Sequence, residues 1–304
     1  MSGTSFDVIG LGENSLDLVY RLHALPRRGG PTKLPALGYT RRPGGQVATM
    51  TAACAALGLR AAYVGAFGSD DNSRVVRDAL IARGVDVSSS PVRTGAGRHA
   101  VVLVEAGTGD RLVIASRDPA VRLTTADVSA APLSRAAWVH VDATEEEAAL
   151  HAARLAQAAG VPTTTDIDRV TARTRDLVAA VSVPIFADGV VQELTGEPDA
   201  AAALRALRRQ HPGLLCVTRG REGAVLLEDD TLHVQPAFVV AAVDTTGAGD
   251  VFRAGFVAAA LRGAAPHEAL RFATAAAAVS CTREGAMDSV PSRAEVEALL
   301  RQAR

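Results

Sequence analysis

The segment Asp244-Thr-Thr-Gly-Ala-Gly-Asp250 combines glycines with acids directly before an apolar helix-forming run at 251–261. Glycines expose backbone N–H groups, and several such donors at a helix N-terminus form a nest that can hold a phosphoryl group. The carboxylate of Asp250, at the edge of this nest, is placed to take the proton of an attacking hydroxyl. Asp is also a favoured N-cap residue, so the segment alone leaves a purely capping role equally open.

The charge balance argues against nucleic acid as a partner. The 304 residues include 32 Lys plus Arg and 33 Asp plus Glu, with a formal net charge of −1 and no dense basic run. A nucleic-acid surface needs clustered positive charge. The sequence also lacks a signal-peptide pattern and any apolar run of membrane-spanning length. We therefore expect a cytoplasmic protein that acts on a small molecule and binds neither nucleic acid nor membrane.

Strands and helices alternate along most of the chain. Short apolar runs predict buried strands at 6–12, 61–67, 138–141, 162–167, 184–186 and 214–218. The segments between and after them predict helices at 47–57, 73–83, 145–159, 171–181, 251–261 and 266–282, with one further helix between 187 and 209. Strict alternation of this kind predicts an α/β fold with a doubly wound, mainly parallel sheet. No linker divides the chain, so we expect one domain over 1–304.

Other segments are predicted to form an appendage to this sheet. An alternating strand at 15–22 is followed by a Pro-, Gly- and Arg-rich stretch, 26–43, that reads as a loop. Hairpins are predicted for 100–105 with 111–115 and for 223–228 with 231–235. The segments at about 13–43 and 93–122 are expected to form a small lid over the strand ends, where α/β proteins bind ligands.

Two spaced motifs resemble the signatures of the PfkB/ribokinase family of carbohydrate kinases. The run at 244–250 and its apolar helix match the family's C-terminal signature, and Gly44-Gly45 with Val64-Gly-Ala-Phe-Gly-Ser-Asp-Asp71 matches its N-terminal one. The resemblance extends over about 8–291. It implies a ribokinase-like fold with a small β-sheet lid, ATP as phosphoryl donor, Mg²⁺, and Asp250 as catalytic base.

The resemblance also assigns roles to single residues. The turn Gly247, Ala248 and Gly249 would hold the γ-phosphate beside Asp250, the N–H groups of 248–250 forming the anion hole. Predicted nucleotide contacts are Thr218, Gly220 and Gly223, which without the resemblance read as an ordinary turn. The predicted substrate contacts are Asp17, Gly44, Gly45, Thr49 and Asp142. Many members carry Asn where this chain has Thr49, which makes ribose itself a less favoured substrate.

Metal binding is where the sequence departs from the family. The magnesium-associated Asn-x-x-Glu motif is replaced by Ala187 and Val190, so Asp188 or Glu193 could act through water. Asp166 and Asp168 form another acidic pair on the phosphate side, with loop capping as an equal alternative. Resemblance to potassium-stimulated members makes Asp244, Thr246 and Ser289 candidates for a K⁺ site, because oxygen ligands suit a hard cation.

The substrate is the least determined part of the prediction. Arg98 and Arg117 flank the lid hairpin and could clamp an anionic substrate, although isolated arginines usually lie in solvent. We expect an ATP-dependent kinase of a ketose or an anionic ketose, with a nucleoside or a 2-keto-3-deoxy sugar acid as the next candidates. A catalytically silent sugar- or nucleotide-binding regulator is the alternative outside enzymes. Unpaired lid edges favour a homodimer through the lid.

Overall fold

Fourteen strands are present in a computed structural model that describes residues 6–108 and 110–303. The two ends of the predicted 1–304 domain and residue 109 lie outside the described part. The strands are β1 Val8–Leu11, β2 Ser15–Leu22, β3 Ala36–Gly44, β4 Ala61–Val64, β5 Phe67–Gly68, β6 Val92–Arg93, β7 His99–Glu105, β8 Arg111–Ser116, β9 Val139–Asp142, β10 Thr163–Ile167, β11 Val183–Phe186, β12 Leu215–Thr218, β13 Ala224–Glu228 and β14 Thr231–Gln235.

Ten α-helices connect or follow these strands in the described ranges. They are α1 Gln46–Ala56, α2 Asp71–Ala82, α3 Ala130–Leu133, α4 Glu146–Ala158, α5 Thr174–Ala180, α6 Val190–Thr195, α7 Ala200–Arg208, α8 Ala248–Ala260, α9 Pro266–Ser280 and α10 Arg293–Gln302. Three short 3₁₀ turns lie at Thr125–Asp127, Gly220–Glu222 and Met287–Ser289. None of the described helices is long and apolar enough to cross a membrane.

The main sheet has eight strands in the order β14-β13-β12-β11-β10-β9-β1-β4. The six strands from β12 to β4 are parallel, and only the hairpin β13–β14 is antiparallel to its neighbours. Side chains alternate between the two faces: Val8 packs in the core under α1, α8 and α9, whereas Ile9 packs in the core under α4. The predicted doubly wound, mainly parallel sheet is confirmed.

A second sheet of four strands, the small sheet, has the order β3-β2-β7-β8. Its inner pair, β2 and β7, is parallel, and the two edge strands are antiparallel to them. The sheet is anchored because Leu16 is buried and Leu18 packs against the main core, whereas every residue of β8 is exposed. These strands come from the two segments predicted to form the lid.

Four predictions about elements were wrong in detail. The 26–43 loop contains strand β3, whose polar and proline-containing sequence is tolerated because β3 is an exposed edge. The 61–67 strand divides into β4 and β5. The helix between 187 and 209 is two helices, because Gly196 (φ 78°) ends α6 and Asp199 caps α7. Helix α10 was not predicted, although Ser292 and Glu295 form a capping box at its start.

Helix α8 is fixed against α9 by close backbone contact at Gly255. A β-carbon at this position would lie 2.9 Å from the Cα of Ala273 and 3.1 Å from the Cβ of Ala276. Only glycine fits without displacing one of the helices, because real Cβ atoms do not approach so closely. This contact sets the depth at which α8, and with it the glycine turn at its N-terminus, lies against the sheet.

We expect Gly255→Ala to lower the free energy of unfolding by about 1–3 kcal/mol, because the added methyl overpacks the α8–α9 contact. In an open helix the same change would stabilise, since Ala has the higher helix propensity. Urea denaturation measures the difference. Gly107→Ala is the control, because nothing lies within 4 Å of a β-carbon there. An unchanged or raised stability of Gly255→Ala would contradict the packing account.

Candidate active site

Helix α8 begins at the glycine turn that the sequence singled out. Gly247 is its N-cap, with a left-handed φ of 78°. A β-carbon there would lie 2.9 Å from the Cα of Ala286, so both the conformation and the space require glycine. The Ala248 N–H donates to the Thr245 carbonyl at 3.2 Å. Within the described structure no acceptor takes the N–H of Gly249 or of Asp250, so two of the three predicted anion-hole donors are available to a ligand.

The carboxyl group of Asp250 is partly buried beside these two amides. No hydrogen bond or ion pair engages it anywhere in the described ranges. Burial raises its pKa well above the ordinary value, and the negative charges of Asp166, Glu13 and Asp142 act in the same direction. The nearby Arg253 guanidinium opposes them. Asp250 is therefore an unpaired carboxyl of increased basicity, which is what a general base requires.

A buried ion pair lies directly beneath the turn. Arg253, one helical turn after Gly249, donates to Asp166 at the end of β10 over 2.5 Å, and the two residues are 2% and 4% exposed. A β-carbon at position 249 would lie 2.8 Å from Arg253 Nη1, so the guanidinium occupies the space under the glycine. Burial outweighs the attraction of Arg253 and raises the pKa of Asp166 to about 6. At neutral pH the pair is charged and ties α8 to the sheet.

The predicted sugar residues Asp17 and Gly44 lie together across strands β2 and β3. A β-carbon at position 44 would lie 3.4 Å from Asp17 Oδ2. Ser15 donates to Asp17 Oδ1 at 3.3 Å, and burial raises the pKa of Asp17. Gly45, with φ 97°, starts α1, and a β-carbon there would lie 2.4 Å from the Cα of Asn14.

Asp17 lines a cavity of about 800 Å³ between the small sheet and the start of the glycine turn. The cavity walls include polar and charged side chains from both sides, namely Asp17, Thr40, Arg42, Arg111, Asp244, Thr246 and Glu284. Two arginines of the wall are paired with carboxylates, Arg42 with Glu284 and Arg111 with Asp244, and a third, Arg21, also lines the cavity. The cavity is therefore a polar space suited to a hydroxyl-rich molecule.

Thr49 is fully buried next to the glycine turn. A β-carbon at Gly247 would lie 3.3 Å from the Thr49 methyl group. The Thr49 hydroxyl has no hydrogen-bond partner in the described structure. Thr49 does not line the cavity that contains Asp17, and its contact with the substrate stays a prediction.

Asp142, also predicted to contact substrate, lies elsewhere. Its side chain is completely buried and accepts from the N–H groups of Glu13 at 2.7 Å and Thr144 at 2.9 Å. A β-carbon at Gly12 would lie 2.5 Å from its carboxyl carbon. Burial raises its pKa to about 7. Asp142 therefore holds the ends of β1 and β9 together and does not line the 800 Å³ cavity.

The predicted arginine clamp is occupied by protein carboxylates. Arg98 pairs with Glu13 at 2.8 Å, and Arg117 pairs with Glu145. Both arginines line a cleft of only about 20 Å³, separate from the cavity that contains Asp17. The expected role in binding an anionic substrate gains no support from this placement, because each guanidinium already has its counter-ion.

The predicted nucleotide loop follows β12 beside the end of β11. Gly220 (φ 51°) and Gly223 (φ 90°) both have left-handed backbone, and a β-carbon at 223 would lie 2.0 Å from the Gln235 carbonyl. The Thr218 hydroxyl donates to the Phe186 carbonyl at 3.3 Å. Exposed Asp188 follows β11 at the same sheet edge. Thr218, Gly220 and Asp188 are thus brought together, whereas Asp166 is occupied by Arg253.

No group of three or more His, Cys, Asp or Glu side chains in the described ranges could hold a metal ion by itself. Mg²⁺ bound with ATP does not need such a group, because proteins usually hold it through one or two carboxylates together with substrate phosphates and water. The predicted K⁺ ligands fit less well. Asp244 Oδ1 already accepts from Thr246 and from Arg111, its Oδ2 accepts from the Gly285 N–H, and the Ser289 hydroxyl donates to the Ala286 carbonyl.

Sequence reasoning missed Arg253, Arg42 and Arg111. Arg253 carried a signal, since a lone charge inside the apolar run 251–261 must either face solvent or find a buried partner. The other two carried none, because one Arg in an exposed strand resembles any other.

Comparisons with known proteins show the family and the fold of this chain. The family model described as pfkB family carbohydrate kinase matches residues 7–293. Fructokinase-1 of Oryza sativa subsp. japonica is 29% identical over 100% of both chains, and an ATP-dependent ribose-1-phosphate kinase of Halopiger xanaduensis is 30% identical over 96% of this chain and 97% of that one. A crystal structure of a putative ribokinase from Agrobacterium tumefaciens superposes with a TM-score of 0.89, at 28% identity over 97% of each chain. The predicted ribokinase-like fold is confirmed.

We expect Arg253→Met to lower the free energy of unfolding by about 3–5 kcal/mol, because it leaves the buried Asp166 carboxylate unpaired. The double variant Arg253→Met/Asp166→Leu should recover most of that loss. Urea denaturation at pH 7 tests both. Arg293→Met is the control, since its exposed pair with Glu297 should contribute less than about 1 kcal/mol. Equal losses for Arg253→Met and Arg293→Met would show that the buried pair is not a major constraint.

Proposed function

The chain belongs to the pfkB family of carbohydrate kinases, and we propose that it transfers the γ-phosphoryl group of ATP to a hydroxyl of a small sugar, with Asp250 as the base. One observation carries the proposal: an unpaired, partly buried carboxyl lies beside two backbone N–H groups without acceptors at the start of α8. A base and an anion-binding nest in one turn are the two parts that phosphoryl transfer to an alcohol needs. A helix cap alone would use the carboxyl oxygens in hydrogen bonds to the turn.

In this mechanism the Asp250 carboxylate and the N–H groups of the turn have different roles. Asp250 orients the sugar hydroxyl and takes its proton, and its raised pKa makes it a stronger base than an exposed carboxylate. The N–H groups of Gly249 and Asp250 donate to the phosphoryl oxygens as the group moves. Mg²⁺ would supply positive charge that offsets the negative charge of the ATP phosphates, and Asp188, exposed after the end of β11, is the carboxylate that would hold it.

On the sugar side, Asp17 lines the cavity, and Gly44 lies directly beside its carboxylate, with Gly45 next along the chain. A carboxylate can accept hydrogen bonds from two neighbouring hydroxyls, and glycine lets the backbone approach a sugar ring closely. We propose that the small sheet acts as the lid of this cavity, since β2, β3, β7 and β8 contribute residues to its wall. Closure over the sugar would exclude water from the reacting phosphoryl group.

A neutral ketose is the substrate that the cavity supports best. Three arginines and four carboxylates line its wall, so the cavity has no excess of positive charge to attract an anion. Arg42 and Arg111 are each paired with one of those carboxylates. The fructokinase among its relatives acts on a neutral ketose by its name. A sugar phosphate is the second candidate, because Arg42 and Arg111 do line the wall and could exchange partners, and another relative is named for ribose 1-phosphate.

We also propose a single kinase domain over 1–304 and a homodimer formed through the small sheet. The edge strands β3 and β8 of this sheet leave large apolar side chains in solvent, with Tyr39 50% and Ile114 55% exposed. Exposed edge strands of this kind are prone to pair with another copy of the chain. A cytoplasmic location remains a proposal that follows from the requirement for ATP.

We expect Asp250→Asn to reduce kcat by about 10²–10⁴-fold while ATP and sugar still bind, because the variant keeps the shape of the site and loses the base. ADP release with Mg-ATP measures turnover across fructose, ribose, ribose 1-phosphate, a 2-keto-3-deoxy sugar acid and nucleosides. Asp230→Asn, in the exposed turn between β13 and β14, is the control. Wild-type turnover in Asp250→Asn would remove Asp250 from its role. Silence of the wild type across the whole panel would favour a non-catalytic binding protein.

The pH profile gives an independent test of the same carboxyl. Asp250 must be ionised to act, so kcat should fall as the pH drops through its pKa, which lies well above the ordinary 3.8. Asp166→Asn removes a neighbouring negative charge and frees Arg253, and both changes lower the pKa of Asp250. The acidic limb should therefore move to lower pH. Asp168→Asn, which contacts Gln46 and Arg169 instead, should leave the limb in place. A limb that moves to higher pH in Asp166→Asn would contradict the assignment.

A further inference from the structure

We propose that Arg111, on the edge strand of the small sheet, is the resident cation of the glycine turn and couples closure of the small sheet to phosphoryl transfer. The inference rests on the proposed function and concerns a positioning residue, since Arg111 acts through Asp244 and Thr246. It also implies that Asp244 and Thr246 do not hold K⁺.

Arg111 lies on the small sheet but contacts the glycine turn. Arg111 opens β8, a strand whose residues are all exposed, yet its guanidinium extends across the cavity to the turn that precedes α8. Nη2 donates to Asp244 Oδ1 at 2.5 Å, and Nη1 donates to the Thr246 hydroxyl. The contact joins residues 133 positions apart, and it is two-pronged, as the fork of arginine donors allows. Asp244 keeps only 17% side-chain exposure, so the bond is partly shielded from solvent.

Asp244 accepts hydrogen bonds from two separate segments of the backbone. Its Oδ1 also accepts from the Thr246 N–H at 3.0 Å, and its Oδ2 accepts from the Gly285 N–H at 2.9 Å. Asp244 therefore ties the start of the glycine turn to the segment at 285–286 that Gly247 packs against. Any shift of Asp244 would shift the N–H groups of Gly249 and Asp250 that follow it. Arg111 therefore influences the position of the Gly249 and Asp250 N–H groups through the Asp244 carboxylate.

The negative charge of Asp244 affects a phosphoryl group that binds at the start of α8. The Asp244 carboxylate accepts from the Gly285 and Thr246 N–H groups and from Arg111, and all three donors favour its charged form. A phosphoryl group arriving at the start of α8 brings further negative charge close to it. An uncompensated carboxylate there would oppose binding and transfer. The Arg111 guanidinium compensates Asp244 only while the small sheet lies over the cavity.

The oxygens predicted to bind K⁺ already take part in hydrogen bonds within the chain, which opposes a resident K⁺ there. A monovalent cation at Asp244 and Thr246 would need oxygen lone pairs that hydrogen bonds leave free. The Thr246 hydroxyl donates to Asp244 at 2.7 Å and accepts from Arg111, and Asp244 accepts from Arg111 as well. Ser289 is fully buried, and its hydroxyl donates to the Ala286 carbonyl. Two of the three predicted K⁺ ligands are therefore engaged by a cation that belongs to the chain itself.

The test compares wild type, Arg111→Ala and Arg41→Ala in choline, potassium and dilute guanidinium chloride at equal ionic strength, with the best sugar and Mg-ATP. Arg41 is the matched control, because it also joins the small sheet to the body, through Asp71, but does not reach the turn. Wild-type kcat should differ by less than about twofold between choline and potassium, the range of general screening effects. Arg111→Ala should lose about tenfold or more in kcat, as for a truncated, partly buried charge pair.

Rescue separates a positioning role from a merely structural one. Guanidinium should restore much of the kcat of Arg111→Ala and none of any loss in Arg41→Ala, because the small cation can occupy the place of the missing side chain. Potassium activation of the wild type well above twofold, or equal kcat for Arg111→Ala and wild type, would overturn the proposal. A loss in Arg111→Ala that guanidinium does not repair would also overturn it.

A second readout keeps the test independent of the proposed substrate. Thermal unfolding of the wild type in potassium and in choline chloride should give the same midpoint, since no specific K⁺ site is available. A higher midpoint in potassium alone would overturn the inference even if no sugar were turned over. Absence of turnover with equal midpoints would count against the proposed function and leave Arg111 in place as the resident cation.

Discussion

The buried ion pair between Arg253 and Asp166 is the constraint on which the rest of the site depends. It joins the first turns of α8 to the end of β10, and nearly all water is excluded from it. An Arg and an Asp taken out of water are unfavourable unless they meet each other, so the pair allows little freedom in where α8 lies relative to the sheet. Gly249 is the local consequence, because any side chain there would meet the guanidinium.

With α8 fixed in this way, the acids at the strand ends acquire distinct roles. Asp142 holds backbone amides between β1 and β9, Glu13 is paired with Arg98, and Asp166 is paired with Arg253. Asp250 differs from all three because it has no partner within the described chain. The charges of the others raise its pKa without blocking it. The three engaged acids therefore surround one carboxyl that has no partner in the described part of the chain.

Local patterns were sufficient to predict the parts of the molecule that depend on local physics. The alternation of buried runs and helices predicted the parallel sheet, and the glycine turn before an apolar helix predicted the position of Asp250. The sequence predictions failed where contacts between residues far apart in the chain determine the structure. Strand β3 is polar because it is an edge, Arg98 and Arg117 are paired by acids that only the fold brings near, and Arg253 meets a partner 87 positions away. Short signals at Gly196 and Ser292 marked helix ends that periodicity alone did not separate.

The central claim is that Asp250 and the amides beside it receive the reacting groups, and the most direct measurement is a crystal structure with ADP, Mg²⁺, aluminium fluoride and the best sugar. The account predicts that the planar fluoride, which mimics the phosphoryl group in flight, accepts from the N–H groups of Gly249 and Asp250. It also predicts that one sugar hydroxyl lies within about 3 Å of the Asp250 carboxylate. A fluoride bound away from the start of α8, or a sugar with no hydroxyl in reach of Asp250, would contradict it.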